Sequence, residues 1–144
     1  MVARRSAQSS FVIVSLHVAT GAAIGALAGN RRRAALLGAI AHAAGDRVRH
    51  EDIPSHRYEV LSGGAALLAI AIRRGVLDPA TIGAAAGSAP DIEHVVRLPR
   101  PGGRKLFPSH RIRGFHRSGG ISARAQLLAA GIILGALLAP RRRA

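Results

Sequence analysis

Residues 6–30, SAQSSFVIVSLHVATGAAIGALAGN, decide how the rest of the sequence is interpreted, because they include no Lys, Arg, Asp or Glu. A helix needs about 20 apolar residues to cross the hydrocarbon core of a membrane. The stretch meets that length and predicts a transmembrane helix with His17 inside it. Because Arg4 and Arg5 precede it and Ala26-Leu27-Ala28 near its end resembles a cleavage site, a cleavable secretory signal is the alternative.

Outward from this stretch, four weaker apolar segments follow at residues 34–45, 60–72, 79–90 and 125–140. Each is shorter than the roughly 17–25 residues of a usual spanning helix, so each alone could be a core helix. Together the segments predict an all-α fold, a compact membrane-embedded bundle of about five helices with polar loops capping an internal His/Asp cluster. The length of 144 residues corresponds to one domain, 1–144.

Capping residues and prolines mark the joints between these segments. Asp78 followed by Pro79 has the pattern of an N-cap and a first-turn proline. Ser122 is a candidate cap for the last helix, and Pro140 is expected to close that helix. The joints therefore divide the chain into helices of ordinary length.

The composition favours helices that pack closely against each other. Apolar residues make up 49% of the chain but aromatic residues only 3%, and there are 17 glycines. Small residues let helix backbones approach closely, which is how helices associate in lipid. Because the chain has no cysteine, disulfides and thiolate ligands are excluded, and a bound metal would be held by nitrogen and oxygen atoms.

The net charge of +14 is compatible with nucleic acid, but its placement favours a membrane surface. The chain is poor in aromatic stacking residues and lacks a recognised DNA- or RNA-binding motif. Its arginines form short clusters at the ends of apolar runs, from which they can reach lipid headgroups. These clusters are residues 4–5, 31–33, 73–74 and 141–143. The sequence predicts membrane lipid as the partner and no specific nucleic acid.

Two polar segments, residues 46–59 and 97–120, are rich in Gly, Pro, Arg and His and predict loops that carry function. Residues 38–46 also parallel residues 83–91, since each is a small-residue segment that ends on an aspartate. This similarity indicates a weak internal repeat. Chance alignment of two segments rich in Ala and Gly is the alternative.

The acidic residues are associated with histidines. Only seven acidic residues occur, and five of them are close in sequence to a histidine. His42 and Asp46 are four residues apart and Asp91 and His94 are three apart, so each pair shares a helix face and can converge on one ion. Nitrogen and oxygen ligands of this mixture suit a divalent metal ion, with zinc or manganese the first candidates.

His17 and Asp52 extend this predicted site. A titratable group inside an apolar run needs a partner, so His17 is expected to face the interior of the bundle. The alternative for His17 is a neutral ring bonded to a backbone carbonyl. Asp52 lies next to the His42/Asp46 helix in sequence and is a candidate general base. Glu51, Glu59 and Asp78 are interpreted as surface or capping residues.

The basic loop 109–118 supplies the remaining candidates. His116 can complete the metal shell, while His110, Arg111 and Arg117 can hold an anionic substrate such as a phosphate. A solvated basic loop is the equally weighted alternative. The full set of predicted metal ligands is His17, His42, Asp46, Asp91, His94 and His116. The predicted catalytic carboxylates are Asp91, Glu93 and Asp52.

These elements resemble a family of small bacterial membrane-bound, metal-dependent hydrolase-like proteins. The resemblance spans residues 15–118 and depends on short motifs. These are His17 in the first apolar helix, the His-x-x-x-Asp pattern of His42 and Asp46, the Pro-Asp-Ile-Glu-His element 90–94 and the His-Arg and His-Arg-Ser elements that begin at His110 and His116. It implies a metal site formed by these histidines and aspartates, with Glu93 standing where the family has an aspartate.

The functional hypothesis at this point is a membrane-bound metal-dependent hydrolase that acts on an ester or phosphoester of a lipid or small molecule. The resemblance implies a multi-pass protein of the bacterial inner membrane. The alternative is a small non-enzymatic integral membrane protein, either structural or metal-handling, in which the same residues pack or bind metal without catalysis.

Overall fold

A computed structural model describes residues 13–51, 53–96, 98–112 and 119–140 of the chain. The elements in chain order are α1 (Val14–Ala28), α2 (Arg31–Arg47), α3 (His56–Arg74), α4 (Pro79–Ser88), a 3-10 turn (Ala89–Asp91), α5 (Ile92–Val95), a second 3-10 turn (Pro101–Gly103), α6 (Pro108–Arg111) and α7 (Ala123–Leu138). Within these ranges the protein is all-helical, as expected. The strand-like contact there is an isolated bridge between His50 and Ile121.

Side-chain caps define where four of the long helices begin. The Asn30 side chain accepts a hydrogen bond from the Arg33 N–H at the start of α2, and Ser55 Oγ accepts from the Tyr58 N–H at the start of α3. Each cap satisfies a backbone donor that the first helical turn leaves unpaired. The two caps predicted from sequence, Asp78 on α4 and Ser122 on α7, are confirmed.

The five long helices alternate in direction along the chain. Three contacts define the two ends of the bundle. At one end, Val14 N–H at the start of α1 donates to Glu59 in the first turn of α3, at 2.7 Å. At the other, Arg31 Nε donates to the carbonyl of Leu77, and Arg73 Nε donates to the carbonyl of Leu138 at the end of α7. The segments that follow α2 and α4 therefore lie at the same end, near the start of α1.

Glycines let α1, α2 and α4 pack backbone against backbone. A Cβ atom placed on Gly21 would collide with the carbonyl of Gly83, and one placed on Gly83 would collide with the carbonyl of Gly21. A Cβ on Gly38 would lie 2.5 Å from the Gly83 carbonyl oxygen. The close approach of helices predicted from the small residues is thus present. The buried apolar side chains around it include Val18, Ala22, Ile70 and Ala84.

The predicted membrane embedding is wrong. None of the helices in the described residues is both long enough and apolar enough to serve as a membrane span. Within residues 6–30, the part described as helix is α1, which has 15 residues and therefore extends only about 22 Å at 1.5 Å per residue. The longest helix, α3, has 19 residues and carries Arg57, Glu59, Arg73 and Arg74. The multi-pass localisation expected from the sequence is corrected on the same ground.

Some of the arginines assigned to lipid headgroups have contacts inside the protein. Arg31 bonds the Leu77 carbonyl in the turn between α3 and α4, and Arg74 forms an ion pair with Asp78 at 3.2 Å. These side chains join neighbouring turns at the end of the bundle. Arg4, Arg5 and residues 141–143 lie outside the described residues.

Candidate metal centre

Five ligand-type side chains converge at the end of the bundle where α1 begins. They come from elements that are far apart in sequence: His17 from α1, His42 and Asp46 from α2, Asp91 from the 3-10 turn after α4, and His110 from α6. Two groups of three are close enough to share an ion, His17/His42/Asp46 and His42/Asp91/His110. The buried cluster could therefore hold a metal ion, as the sequence predicted.

Asp46 lies at the centre of the first group. Its Oδ1 is 3.4 Å from His17 Nε2, and its Oδ2 is 3.2 Å from His42 Nε2. The exposed fractions of His17, His42 and Asp46 are 4%, 1% and 0%. A group this deeply buried and polar must be compensated, because an isolated charge in the interior is costly.

His110 connects this group to Asp91. Its Nε2 atom lies 3.9 Å from Asp46 Oδ2 and 3.8 Å from Asp91 Oδ1. Metal–ligand bonds of about 2.0–2.1 Å in a tetrahedral site place neighbouring ligand atoms about 3.3 Å apart. The separations of 3.2–3.9 Å are close to that spacing, so the donor set fits a small divalent ion with little rearrangement.

The Nε2 atoms of His42 and His110 face the cluster because the Nδ1 atom on the opposite side of each ring makes a hydrogen bond. His42 Nδ1 lies 2.8 Å from the Gly87 carbonyl, and His110 Nδ1 lies 2.8 Å from Glu93 Oε1. Since a carbonyl or carboxylate oxygen only accepts, each neutral ring carries its proton on Nδ1 and presents the lone pair of Nε2. Metal-binding histidines are held in this way by an outer partner.

Glu93 is itself fixed in place. Its Oε2 atom accepts a hydrogen bond from the Leu106 N–H at 2.8 Å, and its side chain is buried. The structure therefore places Glu93 behind His110, on the side away from Asp46 and Asp91. The sequence assigned Glu93 to catalysis and His110 to substrate, while the family resemblance implied that His110 belongs to the metal site. The geometry places His110 among the ligand candidates and Glu93 as the residue that orients it.

Buried polar atoms without a hydrogen bond also support a metal site. Within the described residues, His17 Nε2, His42 Nε2 and Asp91 Oδ2 are buried without a hydrogen bond. Buried polar atoms without partners are rare in native proteins and call for a specific explanation. Gly45 contributes to the arrangement, because a Cβ there would lie 2.8 Å from Cε1 of His17. Glycine at this position makes room for the imidazole beside Asp46.

The pKa shifts prepare the cluster for a cation. Burial lowers the pKa of His17 to about 4, and Asp46 offsets this only in part. Burial acts to raise the pKa of Asp46, but the facing rings of His17 and His42 outweigh it and bring that pKa below its ordinary value. Burial also lowers the pKa of His110. At neutral pH the rings of His17 and His110 are therefore neutral and Asp46 is ionised. These are the forms that bind a metal.

Two groups shift in the opposite direction. Burial raises the pKa of Asp91 to about 7, although His42 counteracts it. For His42, burial acts to lower the pKa, but Asp46 and Asp91 outweigh burial and raise it. A metal ion would displace protons from these two groups, so its binding should release protons near neutral pH.

The other predicted site residues have different placements. His94 is outside both groups of three, and its ring lies 4.6 Å from that of His110. Arg111 is exposed at the end of α6. Asp52, His116 and Arg117 lie outside the described residues, so the roles assigned to them stay predictions.

Glu59 was assigned to a surface or capping position, yet its side chain is 1% exposed. It caps α1 through the Val14 N–H and lines a small cavity with Asp91 and His94. The signal was in the sequence, since Glu59, Gly63, Ala66 and Ile70 follow helical spacing and form the buried face of α3. His50 is also buried, with Nδ1 2.6 Å from the Val48 carbonyl.

Comparison with known proteins gave no match, either to a family model, to a curated protein or to a solved structure.

Proposed function

We propose that this protein is a metal-dependent hydrolase that acts on an ester or a phosphoester. The observation that carries the proposal is the convergence of two buried groups of three ligand-type residues that share His42, namely His17/His42/Asp46 and His42/Asp91/His110. The resemblance of the sequence motifs to hydrolase-like proteins points in the same direction. Zinc or manganese is the proposed ion, because the donor set consists of imidazole nitrogen and carboxylate oxygen.

The residues divide into two roles. His17, His42, Asp46 and His110 would hold the ion, since the Nε2 atom of each histidine lies 3.2–3.9 Å from a carboxylate oxygen of Asp46. Such an ion supplies Lewis acidity toward water and toward a carbonyl or phosphoryl oxygen. Asp91 differs from Asp46, because it lines open cavities on the side away from α2. This position suits Asp91 for contact with water and substrate.

In the proposed reaction, Asp91 accepts a proton from water as the water oxygen forms a bond to the carbonyl carbon or the phosphorus. The bond from that atom to the leaving oxygen then breaks, and the leaving oxygen takes the proton back from Asp91. The products are an acid and an alcohol, and Asp91 is returned to its starting form. A positioned general base of this kind contributes roughly 10²–10⁴-fold to a rate.

Metal binding without catalysis is the second candidate, and burial favours it. His42 and Asp46 are 1% and 0% exposed, which suits an ion held for structure or storage. Elemental mass spectrometry after reconstitution with zinc or manganese tests metal binding, and turnover of p-nitrophenyl acetate and p-nitrophenyl phosphate tests hydrolysis. The variants are His42→Ala, Asp91→Asn and His56→Ala. The last is a control for metal binding alone, because its side chain is exposed and outside both ligand groups but lines the small cavity beside Asp91.

We expect about one equivalent of metal in the wild type and in His56→Ala, and none in His42→Ala. Asp91→Asn should keep its metal and lose turnover by at least about 100-fold. Metal bound at full occupancy without turnover of either compound would replace the hydrolase by the metal-holding role. A wild type that stays helical and binds neither metal after reconstitution would remove both functions.

A further inference from the structure

An apolar groove runs along the surface of the bundle and ends at the candidate metal centre. It has a volume of about 370 Å³ and lies between α1, α3 and α4, with α5 at one end. This size is within the range of roughly 300–1,000 Å³ that ligand pockets usually have. Half of its twelve lining residues are valine, leucine or isoleucine, namely Val14, Val18, Val60, Leu67, Ile92 and Val95.

Asp91 connects the groove to the metal centre. It is the one acidic residue among the groove's lining residues, and it also belongs to the group His42/Asp91/His110. A small cavity of about 20 Å³ lies beside it, lined by Glu59 and His94 as well as by Asp91. That volume is enough for about one water molecule. The groove therefore ends where the proposed proton acceptor, a water-sized space and the ligand cluster meet.

We propose that the groove binds a single unbranched aliphatic chain, the acyl chain of the ester that the protein hydrolyses. Its walls offer mainly apolar contact, and its one acidic lining residue, Asp91, lies where the groove meets the ligand cluster. A chain lying in the groove would bring its carbonyl carbon to that end. Water adds to this carbon, the bond to the ester oxygen breaks, and a fatty acid and an alcohol leave. The ester part of this inference rests on the proposed function, whereas chain binding does not.

Gly64 offers a way to fill the groove without disturbing the fold. It is an exposed glycine in the middle of α3 that lines the groove, and a Cβ added to it would meet no atom within 4 Å. Leucine at this position would occupy space that the chain needs. Gly131 is the matched control, because it is also exposed within a long helix, has the same open surroundings and lies on α7, away from the groove.

The first measurement is calorimetric titration of metal-free protein with 1-decanol, which reports on the groove independently of metal and turnover. We expect binding to the wild type, at least about tenfold weaker binding to Gly64→Leu, and unchanged binding to Gly131→Leu. The second measurement is kcat/KM of metal-loaded protein for p-nitrophenyl acetate, butyrate and hexanoate. It should rise roughly threefold per methylene in the wild type and stay flat in Gly64→Leu.

The outcomes separate the two ideas. Decanol binding that depends on Gly64, with no turnover of any ester, would support the chain site and overturn the hydrolase. Turnover that ignores chain length, with no decanol binding to the wild type, would overturn the chain site and leave the hydrolase standing. Equal loss of decanol binding in Gly64→Leu and Gly131→Leu would also overturn the site, because the effect would not be local to the groove.

Discussion

Glu93 acts on the candidate metal centre through one ring. Its Oε1 atom holds Nδ1 of His110 at 2.8 Å, and its Oε2 atom is held by the Leu106 N–H. The carboxylate therefore fixes both the orientation of the ring and the nitrogen that carries the proton. His42 has a backbone carbonyl, that of Gly87, in the equivalent place. A side-chain partner can be mutated and a backbone carbonyl cannot. Mutation of Glu93 therefore tests whether the partner of a ligand histidine controls metal affinity.

We predict that Glu93→Gln weakens zinc binding by roughly 10–100-fold, the usual cost of losing such a partner. The glutamine amide cannot accept from the Leu106 N–H and the His110 ring at the same time with both of its terminal atoms. Competition with a chromophoric chelator measures the affinity. Glu51→Gln is the control, because Glu51 is exposed and its side chain contacts the start of α7 at Ala123. Equal affinity in both variants would contradict the role given to Glu93.

A second residue-scale prediction concerns pH. Burial raises the pKa of Asp91 from its ordinary value of 3.8 to about 7 in the folded protein. Its proton therefore stabilises the metal-free fold below pH 4, and this contribution is lost as pH rises through about 7. Asp91→Asn should be more stable than the wild type at pH 8, by a few kcal/mol, and closer to it at pH 5. Urea unfolding followed by circular dichroism measures the difference, and a difference independent of pH would refute the assignment.

Much of the site could be predicted at this scale because its chemistry is local. The pair His42 and Asp46 follows from helical spacing alone, and His17 follows from the cost of burying a titratable group. The place of His110 was implied by the family resemblance but could not be derived from spacing, since it depends on α6 folding back over α2 and on the bond to Glu93. A contact between residues 17 or more apart is not predicted by the periodicity of one helix.

At the scale of the elements, the contact between α1 and α4 is the feature that fixes the site. Gly21 and Gly83 touch through their backbones, and Gly87 lies under His17, since a Cβ there would be 2.9 Å from the His17 carbonyl. This contact fixes the position of His17 along α1 relative to Gly87 on α4. The carbonyl of Gly87 in turn accepts the hydrogen bond from His42. The spacing of the helices and the geometry of the ligands are therefore coupled.

We predict that Gly83→Ala destabilises the protein by about 1–3 kcal/mol, because overpacking exceeds the gain in helix propensity. Gly131→Ala is the matched substitution, since its added Cβ meets nothing within 4 Å. It should raise the free energy of unfolding by up to about 1 kcal/mol, the propensity difference between alanine and glycine. Chemical denaturation of both variants measures the two signs. Stabilisation by both substitutions would show that the helices are not in contact at Gly83.

Helix positions were predicted well, and helix roles were not. The segments 34–45 and 60–72 fall within α2 and α3, and 125–140 overlaps α7 as far as Leu138, because capping and apolar spacing are local properties. The aspartates that end residues 38–46 and 83–91, Asp46 and Asp91, lie 3.2 Å and 3.9 Å from ring nitrogens of His42. The sequence does not determine which of its small-residue helices lies at the centre of the bundle.

At the scale of the whole molecule, the metal centre joins distant parts of the chain. Its residues come from α1, α2, α6 and the turn after α4. A ligand that binds the folded state alone stabilises it by about 2.7 kcal/mol at 100 times its Kd. An ion at this site should therefore stabilise the entire bundle.

We predict that saturating zinc raises the Tm of the wild type by several degrees, at roughly 2–4 °C per kcal/mol for a chain of this size. His42→Ala should show no such shift, while His56→Ala should behave like the wild type. Differential scanning calorimetry with and without the ion measures the effect. A similar shift in all three proteins would indicate zinc bound elsewhere on the chain.

The membrane prediction failed at this largest scale. Residues 6–30 were counted as one uncharged run, whereas a spanning helix must be continuous over its length. The helix described there is 15 residues long, and α2 carries Arg31, Arg32, Arg33, Asp46 and Arg47. Composition rich in Ala and Gly and poor in aromatics suits helices packed backbone to backbone in either setting. Composition alone could not distinguish a membrane-embedded helical bundle from one outside the membrane.

The reciprocal contact between Gly21 and Gly83 also limits how this sequence can drift through evolution. Each glycine occupies the space in front of the other's carbonyl, so a mutation that enlarges one cannot be rescued by shrinking the other. Exposed apolar positions such as Leu36 and Leu68, at 63% and 60% exposure, have no such constraint. Descendants of this chain should therefore diverge freely at the exposed leucines while both glycines persist. The two glycines would then be the residues by which a distant relative with this fold could be identified.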